Sequence, residues 1–195
     1  MPAPRTRSRE VLGALEGARA WDPRIEAWAY LAEPDELAAA WPATEAHGRL
    51  QGVPFAVKDI IDVAGQPTRY GSARFADAGP TARDASVVAA LRGDGAIAIG
   101  KTRTTEFAFI DPTVTRNPYD PRHTPGGSSS GSGAVVGAGI VPFALGTQTA
   151  GSLIRPACYS GVTAFKPSLG LLPTEGVAPL ARSFDQVGII AQSFD

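Results

Sequence analysis

The sequence predicts an α/β protein, because short β-rich runs alternate with a helix-like stretch along its middle third. The β-rich runs are residues 53–57 and 96–99, and residues 85–92 between them have the pattern of a helix. Strands that alternate with helices are typical of an α/β core. The chain has 195 residues, 44% apolar and 19% charged, which is enough for one globular domain with a substantial core.

Residues 1–45 are expected to form an N-terminal helical segment, followed by the α/β domain in residues 46–195. From Ser8 to Ala40, apolar residues recur among charged ones at positions Leu12, Leu15, Ile25, Trp28, Leu31 and Leu37. This spacing predicts two amphipathic helices, with breaks near Asp22-Pro23 and near Glu33-Pro34.

Charge and cysteine content exclude several classes of partner. The formal net charge is −1 and the basic residues are scattered, so the chain lacks the basic patch that nucleic acid or an anionic membrane requires. Cys158 is the only cysteine, which excludes an intramolecular disulfide and a thiolate zinc site and fits a cytoplasmic location. The longest late apolar run, 134–146, is too short to cross a bilayer. The expected partner is a small molecule.

Residues 125–152 contain two clusters of glycine and serine. The string 126–133 has the composition of a flexible linker, but it runs directly into an apolar helix-like stretch and then a second turn, Gly151-Ser152, which argues against a linker. A P-loop requires a lysine after its last glycine, and none is present. A dinucleotide fingerprint requires a third glycine, where this chain has Val136. Nucleotide binding is therefore disfavoured.

One pattern of hydrolytic enzymes also occurs here. Residues 127–131 read G-x-S-x-G, which would make Ser129 the nucleophile of an α/β-hydrolase. In that fold the histidine follows the serine, whereas His47 and His123 both precede it. A chymotrypsin-like order would pair His47 with Ser152, but His47 lies in a polar stretch and is assigned to the surface.

A serine can also be activated by a lysine, provided that the amine is neutral. The chain has fifteen arginines but only three lysines, Lys58, Lys101 and Lys166, and each follows an apolar run. Burial lowers the pKa of a lysine, and Lys58, at the end of the β-rich run 53–57, is the strongest candidate for a base. A strand-end lysine that pairs with Asp59 is an equally good interpretation at this point.

Longer motifs give the chain a resemblance to the amidase signature family. Residues 52–59 (Gly-Val-Pro-Phe-Ala-Val-Lys-Asp) resemble the family's lysine motif, 125–134 its Gly/Ser signature, and 146–152 its nucleophile loop. Further similar segments occur in the family's order, from about Gly48 to the C-terminus: Gly100-Lys101-Thr102 with Glu106-Phe107, Phe165-Lys166-Pro167-Ser168 and Ser183-Phe184-Asp185-Gln186.

The resemblance implies a mixed central β-sheet flanked by helices and a serine amidase without histidine, metal or cofactor. The family's nucleophile falls on Ser152, its second serine on Ser128, preceded by a cis peptide bond, and its base on Lys58. The implied reaction is hydrolysis of a carboxamide to a carboxylic acid and ammonia or an amine through an acyl-enzyme on Ser152. The backbone N–H groups expected to face the oxyanion belong to one turn, Thr149, Ala150, Gly151 and Ser152.

The chain departs from the family pattern around the nucleophile. The A-type subunits of amidotransferases usually read Asp-Thr-Gly-Gly-Ser, with an arginine two residues later. This chain instead resembles free-standing amidases, because it has Gln148 and Ala150 in this motif. Its arginine, Arg155, follows Ser152 by three residues. Arg155 is a candidate for binding a substrate carboxylate, and equally for bracing the loop through backbone carbonyls. The alternative function is transamidation as an A-type subunit.

The chain also stops at Asp195, where the family continues, which predicts a truncated domain. It is then either a fragment of a longer product or a degenerate, inactive protein that keeps the three residues. An incomplete sheet would expose an apolar edge and favour aggregation or self-association, including a homodimer.

Overall fold

The computed structural model describes residues 4–38 and 48–193, in which helices and strands alternate from β2 to β4. The helices are α1 (Pro4–Ile25), α2 (Ser86–Gly93), α3 (Ser130–Gly137) and α4 (Ile154–Tyr159). The strands are β1 (Trp28–Leu31), β2 (Pro54–Lys58), β3 (Ile97–Thr102), β4 (Phe143–Gln148), β5 (Thr163–Phe165) and β6 (Gln186–Ala191). Residues 34–38 are also helical, and two 3-10 turns occupy Ala73–Phe75 and Glu106–Ala108.

The six strands form one mixed sheet in the order β1-β3-β2-β4-β6-β5. Strands β3, β2 and β4 are parallel, and the other neighbours are antiparallel. From β2 the chain passes through α2 to β3 on one side, and then through α3 to β4 on the other, so the strand order reverses at β2. Ligand sites of open α/β sheets lie at the carboxyl ends of strands at such a reversal. That end of β2 is Lys58.

Helices cover both faces of the sheet, as the resemblance implied. One face packs with α1 and α3, and its strand residues include Ala56, Ile97, Ile99, Ala144 and Ile190. The other face packs with α2, and its strand residues include Phe55, Val57, Ala98, Leu145 and Val187. Strand β2 is buried along its whole length because both of its faces are covered, which explains its nearly continuous apolar sequence.

The N-terminal segment differs from the two predicted helices. Helix α1 continues through Pro23 to Ile25, and the Asp22 carboxylate then accepts hydrogen bonds from the backbone N–H groups of Ala27 (2.7 Å) and Trp28 (3.1 Å). These bonds turn the chain into β1, which pairs with β3. The prediction that this stretch forms a second helix was wrong, because pairing with a buried strand outweighs local periodicity.

The burial of the apolar positions partly follows the predicted pattern. Leu15, Ile25, Trp28 and Leu37 are buried, whereas Leu12 is 47% exposed. The predicted break near Glu33-Pro34 coincides with the start of helical residues 34–38. Ala40, His47 and the proposed boundary at residue 45 lie outside the described residues, so the division of the chain stays a prediction.

Strand β5 forms one edge of the described sheet, and its Phe165 is 53% exposed. This edge therefore carries an exposed apolar side chain, and self-association through it remains a prediction. Within residues 4–38 and 48–193, no helix has both the length and the apolar character needed to cross a membrane.

Candidate active site

The amine of Lys58 lies at the centre of the site and is fully buried. Side chains alternate along β2, so Lys58 shares a face with Ala56 and points towards α3. Its Nζ is 2.7 Å from Ser128 Oγ and 2.8 Å from Thr147 Oγ1, to both of which it donates. The structure thus brings together two predicted site residues, and it adds Thr147, at the end of the neighbouring β4.

The environment of Lys58 favours the neutral amine. Burial lowers the pKa of Lys58 to about 7, and the negative charge of Asp185 partly opposes this effect. Among the described residues, Asp59 pairs with Lys101 (Oδ1 to Nζ, 3.3 Å) and not with Lys58. The interpretation of Lys58 as the ion-pair partner of Asp59 was therefore wrong. Lys101 also donates to Thr68 Oγ1 at 2.8 Å, which makes it part of a separate buried network.

The Gly/Ser string is a packed structural element, not a linker. The Gly127-Ser128 peptide bond is cis, as the resemblance implied, and Ser128 is 1% exposed. Helix α3 begins two residues later and is buried almost throughout. A Cβ atom on Gly131 would lie 2.4 Å from the carbonyl oxygen of Ala27, so only glycine permits this approach.

Ser129, the G-x-S-x-G serine, is engaged in the fold. Its buried hydroxyl donates to the backbone carbonyl of Thr147 and accepts from the backbone N–H of the same residue, both at 3.3 Å. Ser129 therefore ties the start of α3 to the end of β4. Its sequence neighbour Ser128, not Ser129, faces the lysine.

Ser152 lies half-buried in the turn between β4 and α4, next to the Gly/Ser string. Its carbonyl oxygen accepts a hydrogen bond from the backbone N–H of Ser129 at 3.1 Å. The Gln148 side-chain oxygen accepts from the N–H groups of Leu153 (2.9 Å) and Ile154 (3.0 Å), which closes the turn. Within the described part of the chain, the N–H groups of residues 149–152 have no acceptor.

Arg155 is exposed and lies in the first turn of α4, directly after the turn that contains Ser152. Its Nη2 is 3.1 Å from the position that a Cβ atom would occupy on Gly151. In the described ranges its guanidinium has neither an ion-pair partner nor a backbone carbonyl acceptor. Bracing of the loop through carbonyls is therefore not observed, and the cation borders the turn that contains Ser152.

Asp185 also belongs to this site, although the sequence identified it only as part of a similar segment. One carboxylate oxygen accepts from Thr149 Oγ1 at 2.5 Å, and the other from the N–H groups of Leu180 and Ala181, each at 2.8 Å. No sequence signal assigns such a contact, because 36 residues separate Asp185 from Thr149.

The remaining candidates lie elsewhere. His123 is exposed and lies 3.5 Å from Asp120. His47 lies outside the described residues. Cys158 is exposed and unpaired.

Comparisons with known proteins place this chain in a family. A model of the amidase family matches residues 10–195. The A-type subunit of glutamyl-tRNA(Gln) amidotransferase from Treponema pallidum (strain Nichols) is 43% identical over 97% of this chain. The chain spans only 40% of that relative's length.

Two solved structures have the same fold over nearly the whole chain. The crystal structure of the A-type glutamyl-tRNA(Gln) amidotransferase subunit from Thermotoga maritima matches with a TM-score of 0.89 and 33% identity, over 98% of this chain and 42% of that one. The peptide amidase of Stenotrophomonas maltophilia matches with a TM-score of 0.81 and 33% identity, over 96% and 42%.

Proposed function

The chain belongs to the amidase family, and on this premise we propose that it hydrolyses a carboxamide C–N bond to a carboxylic acid and ammonia or an amine. The observation that carries this proposal is the contact between the buried amine of Lys58 and Ser128 Oγ, at 2.7 Å. A lysine with a pKa of about 7 is substantially neutral at physiological pH and is suited to general base catalysis.

The proposed reaction is acyl transfer in two stages. In the neutral state, the Lys58 lone pair accepts the Ser128 hydroxyl proton, while an N–H of the amine stays bonded to Thr147 Oγ1. Ser128 in turn takes the proton of Ser152, whose oxygen attacks the amide carbonyl carbon. The C–N bond then breaks, Ser128 returns a proton to the departing nitrogen, and water releases the acid by the reverse sequence.

The turn 149–152 would stabilise the oxyanion that forms during attack. Its backbone N–H groups are free of protein acceptors in the described residues, and Gln148 holds the following residues through two hydrogen bonds. Loss of one such oxyanion donor typically costs about 10²–10³ in rate. Fixed, unpaired donors beside Ser152 support acyl transfer.

Arg155 is proposed to favour substrates that carry a carboxylate near the scissile amide. Its exposed guanidinium borders the Ser152 turn and lacks a protein acceptor in the described ranges. Arg155→Ala should therefore lower kcat/KM for carboxylated amides by about tenfold and leave neutral amides unchanged. Equal effects on both classes of substrate would contradict this assignment.

Transamidation is a second candidate function, because the Treponema relative is an amidotransferase subunit. The ammonia that departs as the same acyl-enzyme forms would then pass to an acceptor held by partner subunits, and water would release the acid. Dependence of turnover on added subunits would favour this function, whereas hydrolysis by the isolated chain would favour the free-standing amidase.

The test is covalent labelling of the purified chain with a fluorophosphonate, which reacts with activated serines, followed by intact-mass measurement. One adduct is expected, absent in Ser152→Ala and strongly reduced in Lys58→Ala. Ser129→Ala is the matched control, because it removes a neighbouring hydroxyl that the fold itself uses. A compact chain that forms no adduct would contradict the proposal and favour an inactive protein that retains the three residues.

A further inference from the structure

Asp185 connects two parts of the site whose relative position matters for the proposed reaction. Its Oδ1 binds the hydroxyl of Thr149, the first residue of the turn that precedes Ser152. Its Oδ2 accepts from two consecutive backbone N–H groups, those of Leu180 and Ala181. One half-buried carboxylate therefore joins Thr149, at the start of the turn, to the backbone of residues 180 and 181.

The same carboxylate acts on Lys58 through its charge. No ion pair joins the two groups among the described residues, but the negative charge of Asp185 counters the effect of burial on the pKa of Lys58. A cavity of about 10 Å³, the size of about one water molecule, is lined by Thr147, Thr149 and Asp185 among others. Thr147 is the residue that holds the lysine amine. Asp185 and the turn residue Thr149 therefore share this small cavity with Thr147, the hydrogen-bond partner of the Lys58 amine.

We propose that Asp185 is a positioning residue that aligns the Ser152 turn through Thr149 and supplies a negative charge beside Thr147, the residue that binds the Lys58 amine. This inference rests on the proposed function for its catalytic consequence. Two cations concern Asp185: Lys58, at the end of β2, interacts with it through charge, and Lys166 donates to the adjacent Gln186 at 2.6 Å. The other groups in contact with the carboxylate, a threonine hydroxyl and two backbone N–H groups, do not titrate in the physiological range.

Three variants separate the charge of Asp185 from its geometry. Asp185→Asn removes the charge and presents an amide to N–H donors that need an acceptor. Asp185→Glu keeps the charge but moves the carboxylate. Thr149→Val removes only the hydroxyl contact with the turn. Asp94→Asn is the matched control, because Asp94 precedes β3 at the opposite end of the sheet and pairs with an exposed arginine.

The decisive measurement does not require turnover. The chain has only three lysines, so ¹³C labelling of lysine Cε gives three NMR signals whose titration can be followed, and Lys58→Ala identifies one of them. The Lys58 midpoint should fall by about 0.5 pH units or more in Asp185→Asn, because loss of a nearby opposite charge disfavours the protonated amine. It should stay within about 0.2 units in Thr149→Val and Asp94→Asn. An unchanged midpoint in Asp185→Asn would overturn the charge assignment.

Turnover, or fluorophosphonate labelling, tests the alignment. Asp185→Asn, Asp185→Glu and Thr149→Val should each lose about 10- to 100-fold in rate, since displacement of a catalytic turn by about 1 Å costs rates of that order. Asp94→Asn should retain the wild-type rate. Wild-type rates in Thr149→Val and Asp185→Glu would overturn the alignment role. A wild-type chain without any labelling would contradict the proposed function instead, while the lysine titration would still decide the role of Asp185.

Discussion

Replacing Lys58 with methionine should stabilise the chain near neutral pH, because a buried amine with a depressed pKa opposes folding. The pKa of Lys58 is about 7 in the folded chain, against 10.5 for an ordinary lysine. Between these two values the unfolded chain holds a proton that the folded chain does not, so folding stability falls as the pH falls. Proton linkage changes folding stability by about 1.36 kcal/mol per pH unit between the two pKa values. At pH 7 the buried amine of Lys58 therefore lowers the free energy of unfolding by about 4 kcal/mol.

Lys58→Met removes this cost but also loses two hydrogen bonds, worth about 1 kcal/mol each. The expected net gain in the free energy of unfolding is about 2 kcal/mol at pH 7, and by pH 10 it should fall by about 3 kcal/mol and change sign. Urea unfolding followed by circular dichroism at pH 7, 8.5 and 10 measures this difference. A variant less stable than wild type at pH 7, by an amount independent of pH, would refute the neutral buried amine.

Lys101→Met is the matched control, one strand away and equally buried. Lys101 is bonded to the buried carboxylate of Asp59, which the substitution would leave without its cation. Removal of one partner of a buried ion pair typically costs about 3–5 kcal/mol, so this variant should be destabilised. If the two substitutions change the free energy of unfolding in opposite directions, the ionic partner of the lysine, and not its burial alone, determines the effect.

Three further outcomes follow from the contacts. The fluorophosphonate labelling rate of Ser152 should rise about tenfold from pH 6 to pH 8, because the neutral fraction of Lys58 rises from about a tenth to about nine tenths; a flat profile would exclude a base with this pKa. Thr147→Val should slow labelling by about tenfold, through loss of one hydrogen bond to the amine, with unchanged circular dichroism. Gly131→Ala should lower the free energy of unfolding by about 1–3 kcal/mol, because its Cβ would meet a backbone carbonyl. Gly13 lies in open space on α1, so Gly13→Ala should raise the free energy of unfolding by up to about 1 kcal/mol. Urea unfolding measures both changes.

The central strands and the helices beside them could be predicted from the sequence because local pattern and tertiary structure agree there. Strand β2 is buried on both faces and therefore has an uninterrupted apolar run, and α2 has a helical pattern between two strands. Strand β1 could not be predicted in this way. Its sequence fits a helix as well as a strand, and only pairing with β3, about 70 residues later, selects the strand.

The candidate site could be predicted only where a residue type is itself informative. Lys58 is conspicuous because lysine is rare in this chain, and the Gly/Ser string because its composition is unusual. Thr147 and Asp185 have common residue types, and their roles depend on contacts across 89 and 36 residues, respectively. The choice between Asp59 and Ser128 as the partner of Lys58 depended on side-chain alternation along β2, which determines the face of the sheet that the amine meets.

The position of Lys58 explains why the site needs small residues around it. A lysine at the end of a central strand is buried by its own sheet, and its amine can reach a partner only if that partner approaches the sheet closely. The glycines of α3 permit this approach, since a Cβ at Gly131 would collide with backbone. Burial lowers the pKa of the amine and reduces the stability of the fold, and the same burial makes a neutral base available to Ser128 near pH 7. The free energy that the fold loses at Lys58 is therefore tied directly to the proposed chemistry.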